Sequence, residues 1–208
     1  MKTITIEDNE IFLRQESKKV VFPDPDLIND IKKLEDYFDE NDTTLALAAI
    51  QLGIPKRIIY LKNTNLELIN KKNNNEDLDE YKDYNERRIL INPEVILKEG
   101  LTDYWEACAS CLDNLGHVKR PYKINLRYQD INGYFHEETF EEFESTVLSH
   151  ELDHLDGILH MDIADEVLVM PIEERKIFRK SHGYNIISKT GDFEALLKKH
   201  KNTKYLHK

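Results

Sequence analysis

Two histidines stand four residues apart in His150-Glu151-Leu152-Asp153-His154, with a carboxylate directly after the first. On an α-helix, positions i and i+4 share a face, so both imidazoles can grip one metal ion. Glu151 then projects beside the ion, where a carboxylate can take a proton from an activated water and pass it to a leaving group. The pattern points to a metal-dependent hydrolase. A chance match in a chain with 8 His and 40 acidic residues is on the order of a few per cent, so the surroundings must support it. Phe140, Phe143, Val147, His150 and His154 fall on one stripe, while Glu141, Glu142, Glu144, Ser145 and Asp153 fall mostly elsewhere. That is the pattern of a helix with a buried face, and Asp156-Gly157 supplies its stop. Burying two histidines without a ligand would leave ring nitrogens in need of partners, which favours a metal.

A catalytic ion needs one more protein ligand. Downstream, His160, Asp162, Asp165 and Glu166 are the choices open to a conventional zinc endopeptidase. Upstream, the 2 cysteines of the chain are Cys108 and Cys111, and a thiolate binds zinc or ferrous iron strongly. Their Cys-x-x-Cys spacing also fits a redox pair, but such a pair belongs at the strand-to-helix turn of a βαβ unit, and none is legible here. A closed structural site of both cysteines and both histidines is the stronger rival. Glu151 argues against it, because a sealed site has no water for a neighbouring carboxylate to deprotonate. One cysteine is therefore expected to bind and the other to pack.

Three segments follow one another along the chain: Leu47-Ala48-Ala49-Ile50-Gln51, Glu106-Ala107-Cys108-Ala109-Ser110, and His150 to His154. Together they resemble the peptide deformylase family, whose motifs run GxGxAAxQ, EGCxS and HExDH and whose members remove the N-formyl group from nascent peptides. The resemblance spans roughly residues 10 to 165. It implies Cys108 as the third ligand beside His150 and His154, and Glu151 as general base and then acid. It implies the Gln51 side chain and the Ala109 backbone N–H as donors to the oxyanion, with Leu45, Ala46, Thr146 and Val147 lining the substrate. Arg120 falls where the family has an arginine that pairs with the motif glutamate, here Glu106. The resemblance further implies one divalent ion per chain, commonly Fe(2+), with Zn(2+), Ni(2+) and Co(2+) forms known. The motif glycines are replaced by Thr44, Ala46 and Ala107, so Cβ atoms occupy space the family leaves open. A divergent relative with altered or lost activity, or a zinc endopeptidase, is the alternative these changes leave.

The elements that must position these residues are legible in part. The fold class read from the sequence is α+β: antiparallel sheets packed around a central helix carrying the His-Glu-x-x-His motif, with a C-terminal helical extension. Residues 1–165 form the expected catalytic domain and 166–208 a helical, basic extension. Within the domain, 63–87 is rich in Asn, Lys, Glu and Asp and reads as a flexible insertion. Met1 to Ile6 alternates as a short strand; Pro25 to Phe38 has helical periodicity with Asp24 or Asp26 as caps; Arg57–Leu61 and Arg88–Ile91 read as strands. Ile124–Tyr128 and Tyr134–Thr139, joined through Asn132-Gly133, predict a hairpin. Helices are expected over Pro171–Phe178 and Asp192–His200. His117, His136 and His182 read as surface or structural residues.

A net charge of −11 disfavours general binding to nucleic acid or anionic membrane. No apolar run reaches 18 residues and no apolar leader opens the chain, which predicts a soluble, cytoplasmic protein without a membrane partner. By the resemblance, the expected partners are N-formylmethionyl peptides and the ribosome, the latter through Lys198, Lys199, Lys201, Lys204 and Lys208.

Overall fold

The computed structural model describes residues 1–62 and 87–201. The expected insertion lies outside the described residues except for Arg87, which opens a strand, and so do Lys204 and Lys208. In chain order the elements are α1 (Ile6–Leu13), α2 (Leu27–Glu40), β1 (Ala46–Ala48), β2 (Ile58–Lys62), β3 (Arg87–Ala107), β4 (Asn114–Arg120), β5 (Lys123–Gln129) and β6 (Phe135–Glu141). There follow α3 (Glu142–Leu155), α4 (His160–Ile163), β7 (Glu166–Val169), α5 (Ile172–Ser181), β8 (Asn185–Asp192) and α6 (Phe193–Lys201). Short 3-10 turns at Ala49–Leu52 and Ala109–Cys111 follow β1 and β3.

All the paired strands run antiparallel. The main path is β1-β2-β3-β4-β7; β5 adds to β3 and carries β6, and β8 also adds to β3. β3 is long enough to serve four partners because it changes edges partway. Asn92 (φ 51) exchanges hydrogen bonds with the backbone of Val20 and donates to Gln129. That clamp coincides with a register shift against β5 between Ile91 and Glu94, as expected of a bulge that bends a strand.

β2 shows why the sheet has helices on both faces. Its five residues are all buried. Ile58 and Tyr60 pack with Leu27, Ile31, Leu34 and Phe38 of α2, while Ile59 and Leu61 pack with Leu148, Leu152 and Leu155 of α3. Side chains alternate faces along a strand, so a continuous apolar run marks one covered on both sides. The α2 residues recur at helical spacing, and truncating fully buried Leu34 to Ala should cost about 2–5 kcal/mol.

Several expectations are corrected. Met1 to Thr5 is not a strand. Thr5 instead caps α1, its hydroxyl accepting from the Asp8 N–H while the Asp8 carboxylate accepts from the Thr5 N–H; a capping box outcompetes a lone alternating segment. Phe140 belongs to β6, paired with Ile124, so α3 begins at Glu142 and the stripe is shorter at its start. The predicted hairpin is present as β5 and β6. Beyond residue 165 the chain is not only helical: β7 joins β4 and β8 joins β3. Asp26 occupies the N-cap of α2 without a side-chain bond, whereas Asp24 accepts from the Asp26 N–H at 2.9 Å.

α3 ends where the sequence placed its stop. Gly157 has φ +73, and a Cβ there would lie 2.2 Å from the Arg14 carbonyl oxygen. Only glycine permits both the left-handed turn and this approach of the N-terminal segment.

Candidate metal centre

Three segments converge on one point. α3 presents His150 and His154 one turn apart, their ring centroids 4.9 Å apart. The end of β3 delivers Glu106 and Cys108, and the turn after β1 delivers Gln51. One ligand atom from each of Cys108, His150 and His154 lies within 4.8 Å of the others. The Cys108 Sγ is 3.2 Å from His154 Nε2. A thiolate and two imidazoles are a donor set suited to a borderline divalent ion, so this group could hold one.

The surroundings fix how each donor is aimed. Glu106 Oε2 is 2.8 Å from His150 Nδ1, and an ionised carboxylate can only accept. Nδ1 therefore carries the proton and Nε2 keeps its lone pair. Burial alone would raise the Glu106 pKa; the Arg120 charge, the His150 hydrogen bond and the Arg120 hydrogen bonds outweigh it and hold the carboxyl well below its usual range. Arg120 grips both Glu106 oxygens, at 2.8 and 3.0 Å, and its remaining nitrogen reaches Asp153 Oδ2 at 2.5 Å. Glu106 and Arg120 are each only 4 % exposed, so this is a desolvated pair anchoring the ring from behind.

Glu151 lies beside the group, buried, with Oε2 accepting the Ala48 N–H at 2.7 Å. Burial raises its pKa above the ordinary carboxylate value, with His150 and His154 opposing. A carboxyl tuned upward is closer to the range in which it can both accept and return a proton near neutrality. The Gln51 amide is also buried. Its Nε2 donates to Ser110 Oγ at 3.0 Å and to Cys108 Sγ at 3.3 Å, while Oε1 accepts the Ala48 N–H at 3.1 Å. Ala109 is exposed and opens the 3-10 turn, where the first N–H groups have no partner within the turn.

Each cysteine has a distinct place. Cys108 is 7 % exposed and Cys111 is fully buried, outside the ligand group. The Cys111 thiol donates to Cys108; with His154 and His150 adding their favour against burial, Cys108 is drawn well below the usual thiol range, and Cys111 is pushed up by the same bond and by burial. Among the described residues no sealed four-ligand site forms. The downstream alternatives are occupied elsewhere. Asp162 pairs with Arg14 at 2.7 Å, Asp165 pairs with Lys119, and Glu166 is exposed on β7. His160 is buried with its ring centroid 5.7 Å from that of His150, outside the ligand group, and Gly116 leaves room for it: a Cβ there would be 2.7 Å from its ring.

Of the expected lining residues, Ala46 and Thr146 are buried and Leu45 and Val147 half-buried. The Thr146 hydroxyl lies 3.5 Å from that of Thr102. Sequence reasoning missed three contributors: the Ala48 N–H on Glu151, Ser110 on Gln51, and Asp153 on Arg120. Ser110 and Asp153 sit inside the motifs, but nothing in their spacing says which partner each takes. His117 pairs with Asp103 at 3.4 Å and His136 with Asp130 at 3.0 Å, both away from the centre.

Comparison with known proteins agrees on one family. A family model described as polypeptide deformylase matches residues 1–168. A peptide deformylase of Erythrobacter litoralis is 36% identical over 151 residues, covering 66% of this chain and 78% of its own. One from Pelagibacter ubique is 33% identical over 168 residues, covering 78% and 85%. Among solved structures, a Plasmodium falciparum peptide deformylase in complex with inhibitor superposes with a TM-score of 0.62 at 28% identity, covering 86% of this chain and 96% of that one.

Proposed function

The chain belongs to the polypeptide deformylase family, and from that premise we propose how its residues carry out removal of the formyl group from N-formylmethionyl peptides. It is a hydrolase of linear amides, and the family's chemistry is metal-dependent. We read Cys108, His150 and His154 as the ligands of one divalent ion, Fe(2+) before Zn(2+), Ni(2+) or Co(2+). When bound, such an ion acts as a Lewis acid and can acidify a water toward a pKa of about 7.

Glu151 takes the proton of the attacking water as it adds to the formyl carbon. The raised pKa and the Ala48 N–H hold this carboxylate ready for the transfer. In this reading, charge developing on the formyl oxygen is met by the Ala109 N–H and by the Gln51 amide. Ser110 and the Ala48 N–H keep the Gln51 amide from rotating. Glu151 then gives its proton to the departing amine, releasing formate and a free N-terminus. Leu45, Ala46, Thr146 and Val147 line the substrate in this reading, with α3 as the central helix of a 1–165 catalytic domain.

The observation that carries this assignment is the approach of three ligand atoms within 4.8 Å beside a buried glutamate. Cys108→Ala and Glu151→Ala should each abolish formate release from formyl-Met peptides, the second with its metal content kept. Undiminished turnover in Cys108→Ala would overturn the ligand assignment.

No described helix is long and apolar enough to cross a membrane. We assign the protein to the cytoplasm, where formylated nascent chains are made, and its lysine-rich end from Lys198 to the ribosome. Cosedimentation unchanged on deleting residues 198–208 would remove that last assignment.

A further inference from the structure

We propose that Cys111 is a resolving thiol that traps oxidised Cys108 as an intramolecular disulfide. The proposal rests on the geometry of the Cys108-to-Cys111 turn, in the same centre assigned above. Cys108 is the N-cap of the 3-10 turn Ala109–Cys111, and the Cys111 N–H closes it on the Cys108 carbonyl at 3.0 Å. A closed turn keeps its end Cα atoms under about 7 Å, the span a disulfide bridges. Both side chains also sit in one buried cluster with Leu13 and Leu159.

Exposure sets the order of events. Cys108 is 7 % exposed and Cys111 0 %, so an oxidant reaches Cys108 first. Hydrogen peroxide converts the Cys108 thiol to a sulfenic acid, its O–O bond breaking as an S–O bond forms and one water leaves. The Cys111 sulfur then displaces hydroxide from that sulfur, forming the S–S bond, and the thiol proton leaves with it as a second water. Two thiols have given two electrons to one peroxide. Without Cys111, further peroxide would drive Cys108 to sulfinic and sulfonic acids, which thiols do not reverse. With it, oxidation halts at a state a dithiol restores.

The test uses the full chain, both metal-loaded and chelator-stripped, treated with hydrogen peroxide and read by intact mass and peptide mapping. Wild type should lose about 2 Da with Cys108 linked to Cys111, and dithiothreitol should recover both thiols. Cys111→Ala should instead gain about 32 or 48 Da on Cys108, unrecovered by dithiothreitol. A wild type that gains those oxygens on Cys108 while Cys111 stays a free thiol would overturn the proposal, even if the variant does not fold. Because the readout is sulfur chemistry, it is separate from the deformylase assignment, which would fail by absence of formate release in untreated protein.

Discussion

Replacing His160 with phenylalanine should flatten the acid limb of this protein's stability. His160 is 1 % exposed, and among the described residues neither ring nitrogen has a hydrogen-bond partner. Burial pulls its pKa from the ordinary 6.5 to about 4. The unfolded chain therefore takes up a proton at this residue as pH falls through 6.5, while the folded chain holds it off until about 4. Stability from the neutral ring is intact above the unfolded value and is lost as pH falls toward the folded one. Between about pH 7 and pH 5 the loss is about 2 kcal/mol, at about 1.4 kcal/mol per pH unit below the unfolded pKa. At neutral pH the substitution removes an unpaired donor and acceptor, a gain of about 1–3 kcal/mol, against an overpacking cost of similar size beside Gly116. The slope with pH is thus the informative quantity. Urea unfolding at both pH values, with matched metal loading, should show wild type losing about 2 kcal/mol more than His160→Phe. Losses equal within about 0.5 kcal/mol would refute the reasoning, because His160 would then titrate alike in both states.

Arg120→Ala leaves two carboxylates facing each other without their cation, and should destabilise the fold by about 3–5 kcal/mol in chemical unfolding. It should also weaken metal affinity about 10- to 100-fold in competition with a chelator, because Glu106, freed of Arg120, no longer holds the His150 ring in place. Gly157→Ala drives a methyl into the Arg14 carbonyl in a left-handed turn, and should cost at least about 2 kcal/mol, a melting temperature lower by about 4–8 °C. Gln51→Ala should lower kcat by about 10²–10³ with metal content unchanged, the expected loss for one oxyanion donor; a change confined to KM would remove the amide from that role.

How much was legible in the sequence depended on whether a residue's partner was near in the chain. His150 and His154 are neighbours on a helix, and helical spacing alone predicts that they share a face. The choice of Cys108 over Cys111 was not available from spacing and came from resemblance; in the structure the candidate group contains Cys108 and not Cys111. The strand β2 was legible because both its faces are apolar. β8 was not, since it is mostly exposed and its sequence, Asn185 to Asp192, has no apolar alternation. Likewise β3 was read over Arg88–Ile91 only, because Pro93 and the exposed Val95, Ile96 and Leu97 break the pattern where the bulges bend it. The bond from Ala48 to Glu151 joins residues 103 positions apart, a distance over which no local pattern carries information.

β3 lends its hydrogen bonds to β2, β4, β5 and β8. A strand shared so widely has no private way to open: releasing its middle amides requires several partners to let go at once. Amide exchange there should therefore proceed at the rate set by whole-molecule unfolding, while β1 and β8 at the margins exchange through smaller openings of their own. The chain's cooperativity is thus concentrated in the strand that ends at Ala107, one residue before the sulfur of the candidate centre.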